Sequence, residues 1–333
     1  MNRRLMIYGV TGYTGKLIAQ RAALRGLDLV VAGRDAAKVQ VFGERLAVES
    51  RVFGIEDAVG LRDHLAGFAC VINVAGPFSR TAAAVMAACI DCSVHYLDTT
   101  GETDVFLQAA DRDAEARAAG VMLMPGVGWD VVPSDCVALH VAQRVGQVET
   151  LRIAIAHLNP VPSRGSLRTS LEMANPGPIV RKNGRLLRLA APLEDRTFRF
   201  GDWSARCAQT TRSDLVAAWR STGAPNIEVY SKPLGENGLV MPKGGVDAFQ
   251  EGPTPAQNAA WRAFASAEAI GKNGEVARAV IEADSAYLYT ARAAVEIARR
   301  VLDGDVQSGF QSPASAYGVS LPTHIGGTIR DLR

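Results

Sequence analysis

Three glycines in seven residues, Gly9-Val10-Thr11-Gly12-Tyr13-Thr14-Gly15, follow the apolar run Leu5-Met6-Ile7-Tyr8 and open a helix-like segment. A first glycine permits a tight turn out of a strand. A second lets the backbone approach a pyrophosphate, and a third lets helix and strand pack closely. Free N–H groups and the helix dipole then attract negative charge. The pattern is not a P-loop, because Gly15-Lys16 is followed by Leu17 and the glycine required earlier in that motif is Val10. Gly9, Thr11, Gly12, Tyr13, Thr14 and Gly15 therefore read as contacts of a dinucleotide.

The second candidate group is Ala32-Gly33-Arg34-Asp35, placed where an acid would bond the ribose 2′-hydroxyl of NAD. Arg34 beside Gly33 suits a 2′-phosphate instead, since a guanidinium pairs with phosphate and stacks on adenine. Lys38, one helical turn later, adds charge. This favours NADP(H). The other reading leaves Arg34 in solvent, with Asp35 capping the next helix or serving as the ribose acid. Asp57 either caps a helix or contacts adenine.

A third group lies at Asn73-Val74-Ala75-Gly76-Pro77-Phe78, where Ala75, Gly76 and Pro77 shape a bare backbone edge and Phe78 offers an apolar wall for nicotinamide. Three carboxylates remain as catalytic candidates: Asp98, Glu102 and Asp130. Asp98 and Glu102 could form a pair in which burial and like charge raise one pKa, making a general acid. Each also has a plain structural reading, Glu102 as an acid in the first turn of a helix. Ser134 and Asp135 read as capping and charging the next helix, and His95 as a core histidine. No Tyr-x-x-x-Lys and no G-x-S-x-G occurs. The pair Cys89-x-x-Cys92 has no second pair to make a zinc site, so it reads as structural.

The elements that must hold these groups alternate. Strand-like runs at Leu5–Val10, Asp28–Ala32, Arg51–Gly54, Ala69–Val74, Val94–Leu97 and Val121–Met124 are separated by helices. The last of these is a single long helix over Thr103–Ala119. That is the pattern of repeated βαβ units, an α/β fold with a doubly wound parallel sheet. After Val148 the pattern becomes mixed α+β. Strands are expected at Leu151–His157, Thr197–Phe200, Ile227–Ser231 and Glu275–Glu282, with a hairpin at Asn183-Gly184. Helices are expected at Ser166–Met173, Ser213–Thr222 and Ser285–Leu302, and a mobile surface loop at Pro242–Pro255. The domains expected are 1–148, dinucleotide-binding; 149–284, an inserted mixed-sheet domain for substrate or dimerisation; and 285–333, a helix and tail returning to the first.

Composition sets the remaining bounds. In 333 residues, 36 Lys and Arg against 34 Asp and Glu leave a net charge of +2, which argues against nucleic acid as a partner. Apolar stretches such as Ala82–Ile90 are far shorter than the roughly 20 residues of a spanning helix, and the N-terminus has no signal-peptide pattern. A cytoplasmic protein without an integral membrane segment is expected.

The loops together resemble a known set. Gly9-Val-Thr-Gly-Tyr-Thr-Gly15, Ala32-Gly-Arg34, Asn73-Val-Ala-Gly-Pro-Phe78, His95-Tyr-Leu-Asp98-Thr-Thr-Gly101-Glu102 and Pro125-Gly-Val-Gly-Trp-Asp130 are similar in order and spacing to the saccharopine dehydrogenase-like oxidoreductases. The similarity is strongest to the branch that includes trans-acting enoyl reductases. It is strong over residues 5–140 and faint over 151–280, and Trp129 stands where the motif commonly has phenylalanine. The resemblance implies a Rossmann-type NADP(H)-binding domain with an inserted mixed-sheet domain. It also implies reduction of a C=C, C=N or C=O bond in a small or lipid-type substrate, and is compatible with a homodimer. A non-catalytic nucleotide-binding regulator or scaffold is the alternative.

Overall fold

The computed structural model describes residues 3–172, 177–233 and 245–333. The first half alternates strand and helix: β1 (Leu5–Tyr8), α1 (Tyr13–Leu24), β2 (Leu29–Gly33), α2 (Ala36–Leu46), β3 (Glu49–Val52) and α3 (Ala58–Leu65). It continues through β4 (Cys70–Asn73), α4 (Phe78–Asp91), β5 (His95–Asp98), α5 (Thr103–Asp111), α6 (Asp113–Ala118), β6 (Met122–Met124) and α7 (Val132–Ala142). The second part holds β7 (Val148–Leu158), α8 (Arg164–Glu172), β8 (Ile179–Lys182), β9 (Arg185–Arg188), β10 (Arg196–Phe200) and β11 (Trp203–Gln209). After it come α9 (Asp214–Thr222), β12 (Asn226–Ser231), α10 (Pro255–Ala260), β13 (Arg262–Gly271) and β14 (Val276–Ala283). The chain closes with α11 (Ala286–Leu302), β15 (Gly309–Phe310), α12 (Pro313–Tyr317), α13 (Leu321–Ile325) and β16 (Thr328–Asp331).

The first sheet is parallel throughout, in the order β15-β6-β5-β4-β1-β2-β3. Its chain order reverses between β1 and β4, the switch point at which open α/β sheets bind ligands across their carboxyl ends. Strands β1, β2 and β4 are buried on both faces, which is why they read as continuous apolar runs. Leu5, Ile7, Leu29 and Val31 face α1 and α11, while Met6, Tyr8 and Val30 face the cluster built on α3 and α4.

The second sheet runs β10-β11-β12-β7-β13-β14-β16, with β8 joining β12 and β9 joining β8. Its pairs are antiparallel except for β12 against β7, so it is mixed, as expected. Helix α7 links the two sheets. Eight of its residues are buried because it is covered on every side.

Several sequence expectations are corrected here. The long helix over 103–119 is two helices, broken at Arg112. The tail does not return to the first sheet alone: β15 pairs with β6, but β16 pairs with β14 of the second sheet. Of the loop expected at 242–255, residues 242–244 lie outside the described residues. The remainder is fastened, with Tyr13 Oη donating to Pro253 O at 2.8 Å and the Arg164 guanidinium donating to Phe249 O at 2.7 Å. Among the described residues, no helix is long and apolar enough to cross a membrane.

Candidate functional site

The turn after β1 owes its residue types to the backbone. Gly9 has φ +91°, and a Cβ there would stand 2.6 Å from the Ala75 nitrogen and 2.8 Å from the Val74 carbonyl carbon. A Cβ on Gly15 would stand 2.6 Å from the Gly9 oxygen. Both positions demand glycine for packing. Gly12 does not, since its nearest neighbour would be the Gly9 oxygen at an ordinary 3.6 Å. Gly12 is the N-cap of α1, provides no side-chain cap, and is followed by a first turn without acids. The leading N–H groups of α1 have no intrahelical acceptor and remain available to an anion.

This helix end opens on a cleft of about 1520 Å³ between the two sheets. Gly9, Thr11, Gly12, Tyr13, Thr14, Gly15, Gly33, Arg34, Ala75, Gly76 and Phe78 line it. Two expected contacts do not. Asp57 caps α3, accepting from Val59 N at 3.0 Å, and Pro77 is the N-cap of α4.

At the end of β2, Asp35 accepts from Lys38 N at 3.1 Å and pairs with Lys38 Nζ at 2.6 Å. Its backbone and side-chain bonds to Lys38 hold its carboxyl below the usual range. The capping alternative for Asp35 is the one the structure shows. Arg34 is exposed on the cleft and has no ion-pair partner among the described residues.

The expected pair Asp98 and Glu102 is corrected, because neither lines the cleft. Asp98 is fully buried and accepts from Thr100 N and Gly126 N, each at 2.9 Å, and from Tyr96 Oη at 2.7 Å. Burial pushes its carboxyl up to about 7 against the lowering effect of those bonds. Glu102 accepts from Phe78 N and Ser79 N, both at 2.8 Å, and so caps α4 from across the sheet edge. Asp135, also buried and pushed up to about 7, accepts from Ala314 N at 2.8 Å and from Ser221 Oγ. His95 Nδ1 accepts from Met122 N at 3.0 Å, as befits a core histidine. Cys89 is buried in the sheet–helix cluster.

Asp130 does face the cleft, and it is paired with Arg212, which also reaches the buried Asp214 at 3.2 Å. Burial opposes the Arg212 charge, but the two carboxylates outweigh it and raise its pKa. Sequence reasoning missed the rest of this wall. His157 accepts at Nδ1 from Trp261 Nε1 at 3.1 Å, and Tyr287 Oη lies 2.7 Å from Ser163 N and 2.8 Å from Ser166 Oγ. These residues are far apart in the chain and share no local motif. The one available signal was the position of His157 at the end of an alternating strand.

A doubly wound sheet with an open helix N-terminus at its switch point, closed over by a second sheet, is an arrangement suited to a dinucleotide. Residues 5–124 match the saccharopine dehydrogenase NADP binding domain. The match supports, over those residues, the resemblance read from the loops.

Among curated relatives, the trans-acting enoyl reductase of Mycobacterium leprae is 28% identical over 149 residues, covering 42% of this chain and 36% of that one. The trans-acting enoyl reductase of Mycobacterium ulcerans is 24% identical over 162 residues, covering 46% and 39%. The chain thus spans less than half the length of these relatives. Apo saccharopine dehydrogenase (L-Glu forming) of Saccharomyces cerevisiae aligns over 99% of this chain and 100% of that one, with a TM-score of 0.65 and 13% identity. That likeness shows a common fold.

Proposed function

We propose that this protein is an NADP(H)-dependent oxidoreductase that reduces a polarised double bond of a small or lipid-type substrate, with C=C favoured over C=N and C=O. One observation carries the reading. An uncapped helix N-terminus, with Gly12 bare toward the cleft, stands at the switch point, and the unpaired Arg34 stands at the end of the neighbouring strand. The N–H groups of α1 would hold the pyrophosphate, and Arg34 the 2′-phosphate. A bound dinucleotide would supply hydride chemistry, with Ala75, Gly76 and Phe78 of the cleft lining held toward its nicotinamide. The chain's own contribution there is positional: Glu102 fixes the first turn of α4 and so sets the edge on which the nicotinamide would rest.

The preference for C=C rests on the relatives' names as enoyl reductases. A near-neutral net charge supports a small-molecule substrate rather than nucleic acid, and a cytoplasmic location is part of the same proposal. The division at 148 and 284 fits this reading, with the second sheet as substrate wall and a homodimer compatible with it.

Fluorescence titration with NADPH, followed by NADPH oxidation in the presence of crotonyl-pantetheine, tests the proposal. Tight NADPH binding with thioester-dependent oxidation is expected. Binding without oxidation of any enoyl, imine or carbonyl probe would favour the non-catalytic alternative.

A further inference from the structure

His157 lines the cleft beside Trp129, Asp130 and Arg212, and the reading above gives it no task. Its surroundings dictate its proton. The indole Nε1 of Trp261 lies 3.1 Å from His157 Nδ1. An indole nitrogen only donates, so Nδ1 is the acceptor and the proton of the neutral ring sits on Nε2. The rings of Trp129 and Trp261 pack against the imidazole at 5.8 and 5.6 Å. That apolar packing pushes its pKa down to about 4; Arg212 and Lys232 act in the same direction, and Asp130 opposes them. The ring is therefore neutral near pH 7, with Nε2–H as its one donor. Among the described residues no group accepts from Nε2.

The place matters as much as the tautomer. Trp129 and Asp130 follow β6, and the lining residues Thr99 and Gly101 follow β5. His157, on β7, packs on Trp129 at this carboxyl edge and lines the same cleft as Ala75, Gly76 and Phe78.

We propose that His157 is the electrophilic donor of this cleft, its Nε2–H binding the carbonyl oxygen of an α,β-unsaturated thioester or ketone. The inference rests on the reductase reading and assigns the residue that would bind the substrate's carbonyl oxygen. Hydride from NADPH adds to the β carbon, the C=C pair shifts to join the α and carbonyl carbons, and the carbonyl pair moves onto oxygen. NADP⁺ and an enolate result, and a proton from water at the α carbon completes the saturated product. Through this sequence His157 keeps its proton and stabilises the oxygen as charge develops, the condition under which a fixed donor is most effective.

The test uses acetoacetyl-pantetheine, whose bound enolate is seen by ultraviolet absorbance without any turnover. The wild type should raise the enolate fraction at fixed pH. His157→Gln, which keeps a donor, should retain most of the rise, and His157→Phe should abolish it. With crotonyl-pantetheine and NADPH, His157→Phe should lower kcat by about a hundredfold or more, as for loss of one oxyanion donor. Affinity for NADPH should stay unchanged in both variants. Long-range ¹H–¹⁵N correlation on the wild type should show Nε2 protonated and Nδ1 bare. Equal enolate fractions in wild type and His157→Phe, no rise in the wild type, or a proton on Nδ1 would each overturn the proposal. Failure of the wild type to bind NADPH would instead sink the reductase reading, while the acetoacetyl titration would still judge His157.

Discussion

In the turn after β1, Gly9 and Gly15 are fixed by backbone crowding, while Gly12 would meet only an ordinary contact at 3.6 Å. At the end of β5, in the turn after it and in the first turn of α7, Asp98, Glu102 and Asp135 are spent on the protein's own N–H and hydroxyl groups. Both regions lie on the carboxyl edge of one sheet. The difference is between donors left unused and acceptors fully used. A polar residue at a strand end marks an edge position, but its role depends on whether a distant element has already claimed it.

The sharpest break of this comparison is at Arg212, where the cleft wall meets the interior. Arg212→Met leaves Asp214 buried without its partner, and should cost about 3–5 kcal/mol of stability in urea unfolding. A loss below 1 kcal/mol would mean the Asp214 charge is satisfied elsewhere. Next in size is the glycine pair. Gly9→Ala meets both a left-handed backbone and the Ala75 backbone, so a loss of about 3 kcal/mol is expected. Gly12→Ala should cost under about 1 kcal/mol, the range of an N-cap change, yet weaken NADPH binding. Equal stability losses would erase the distinction between packing and ligand glycines. Glu102→Ala removes the acceptor of two helix-terminal N–H groups and should cost about 2 kcal/mol.

A further effect concerns pH. Asp98 and Asp135 have folded pKa values near 7, above the 3.8 of an ordinary aspartate, so the native state holds their protons more tightly than the unfolded state. Their contribution to stability is present below about pH 4 and is lost as pH rises toward 7. Asp98→Asn should therefore flatten the stability–pH curve between 4 and 7. An unchanged slope would show that Asp98 is ionised throughout.

The first sheet was legible because parallel strands buried on both faces leave continuous apolar runs broken by helices. The element bounds there shift by only a few residues. The second sheet was less so. Strand β13, Arg-Ala-Phe-Ala-Ser-Ala-Glu-Ala-Ile-Gly, is alanine-rich and weak in β-propensity, so it went unread, as did β11. Strand β15 has two residues and exists only because β6 offers an edge. Within the site, the glycine turn could be read because backbone geometry dictates residue type at fixed spacing. The fates of Glu102 and Asp135 could not, since their partners Phe78 and Ala314 lie 24 and 179 positions away. Arg212, His157 and Trp261 come from three segments far apart in the chain, and only folding makes them neighbours.

The claim on which the rest depends is that the Gly9–Gly15 turn and Arg34 together hold a 2′-phosphorylated dinucleotide. Calorimetric titration of wild type and Arg34→Ala with NADPH and NADH tests it most directly. The wild type should bind NADPH about ten- to a hundredfold more tightly than NADH, the effect of one or two charge-assisted bonds, and Arg34→Ala should bring the two affinities together. Equal affinities in the wild type, or no binding heat with either dinucleotide, would contradict the account.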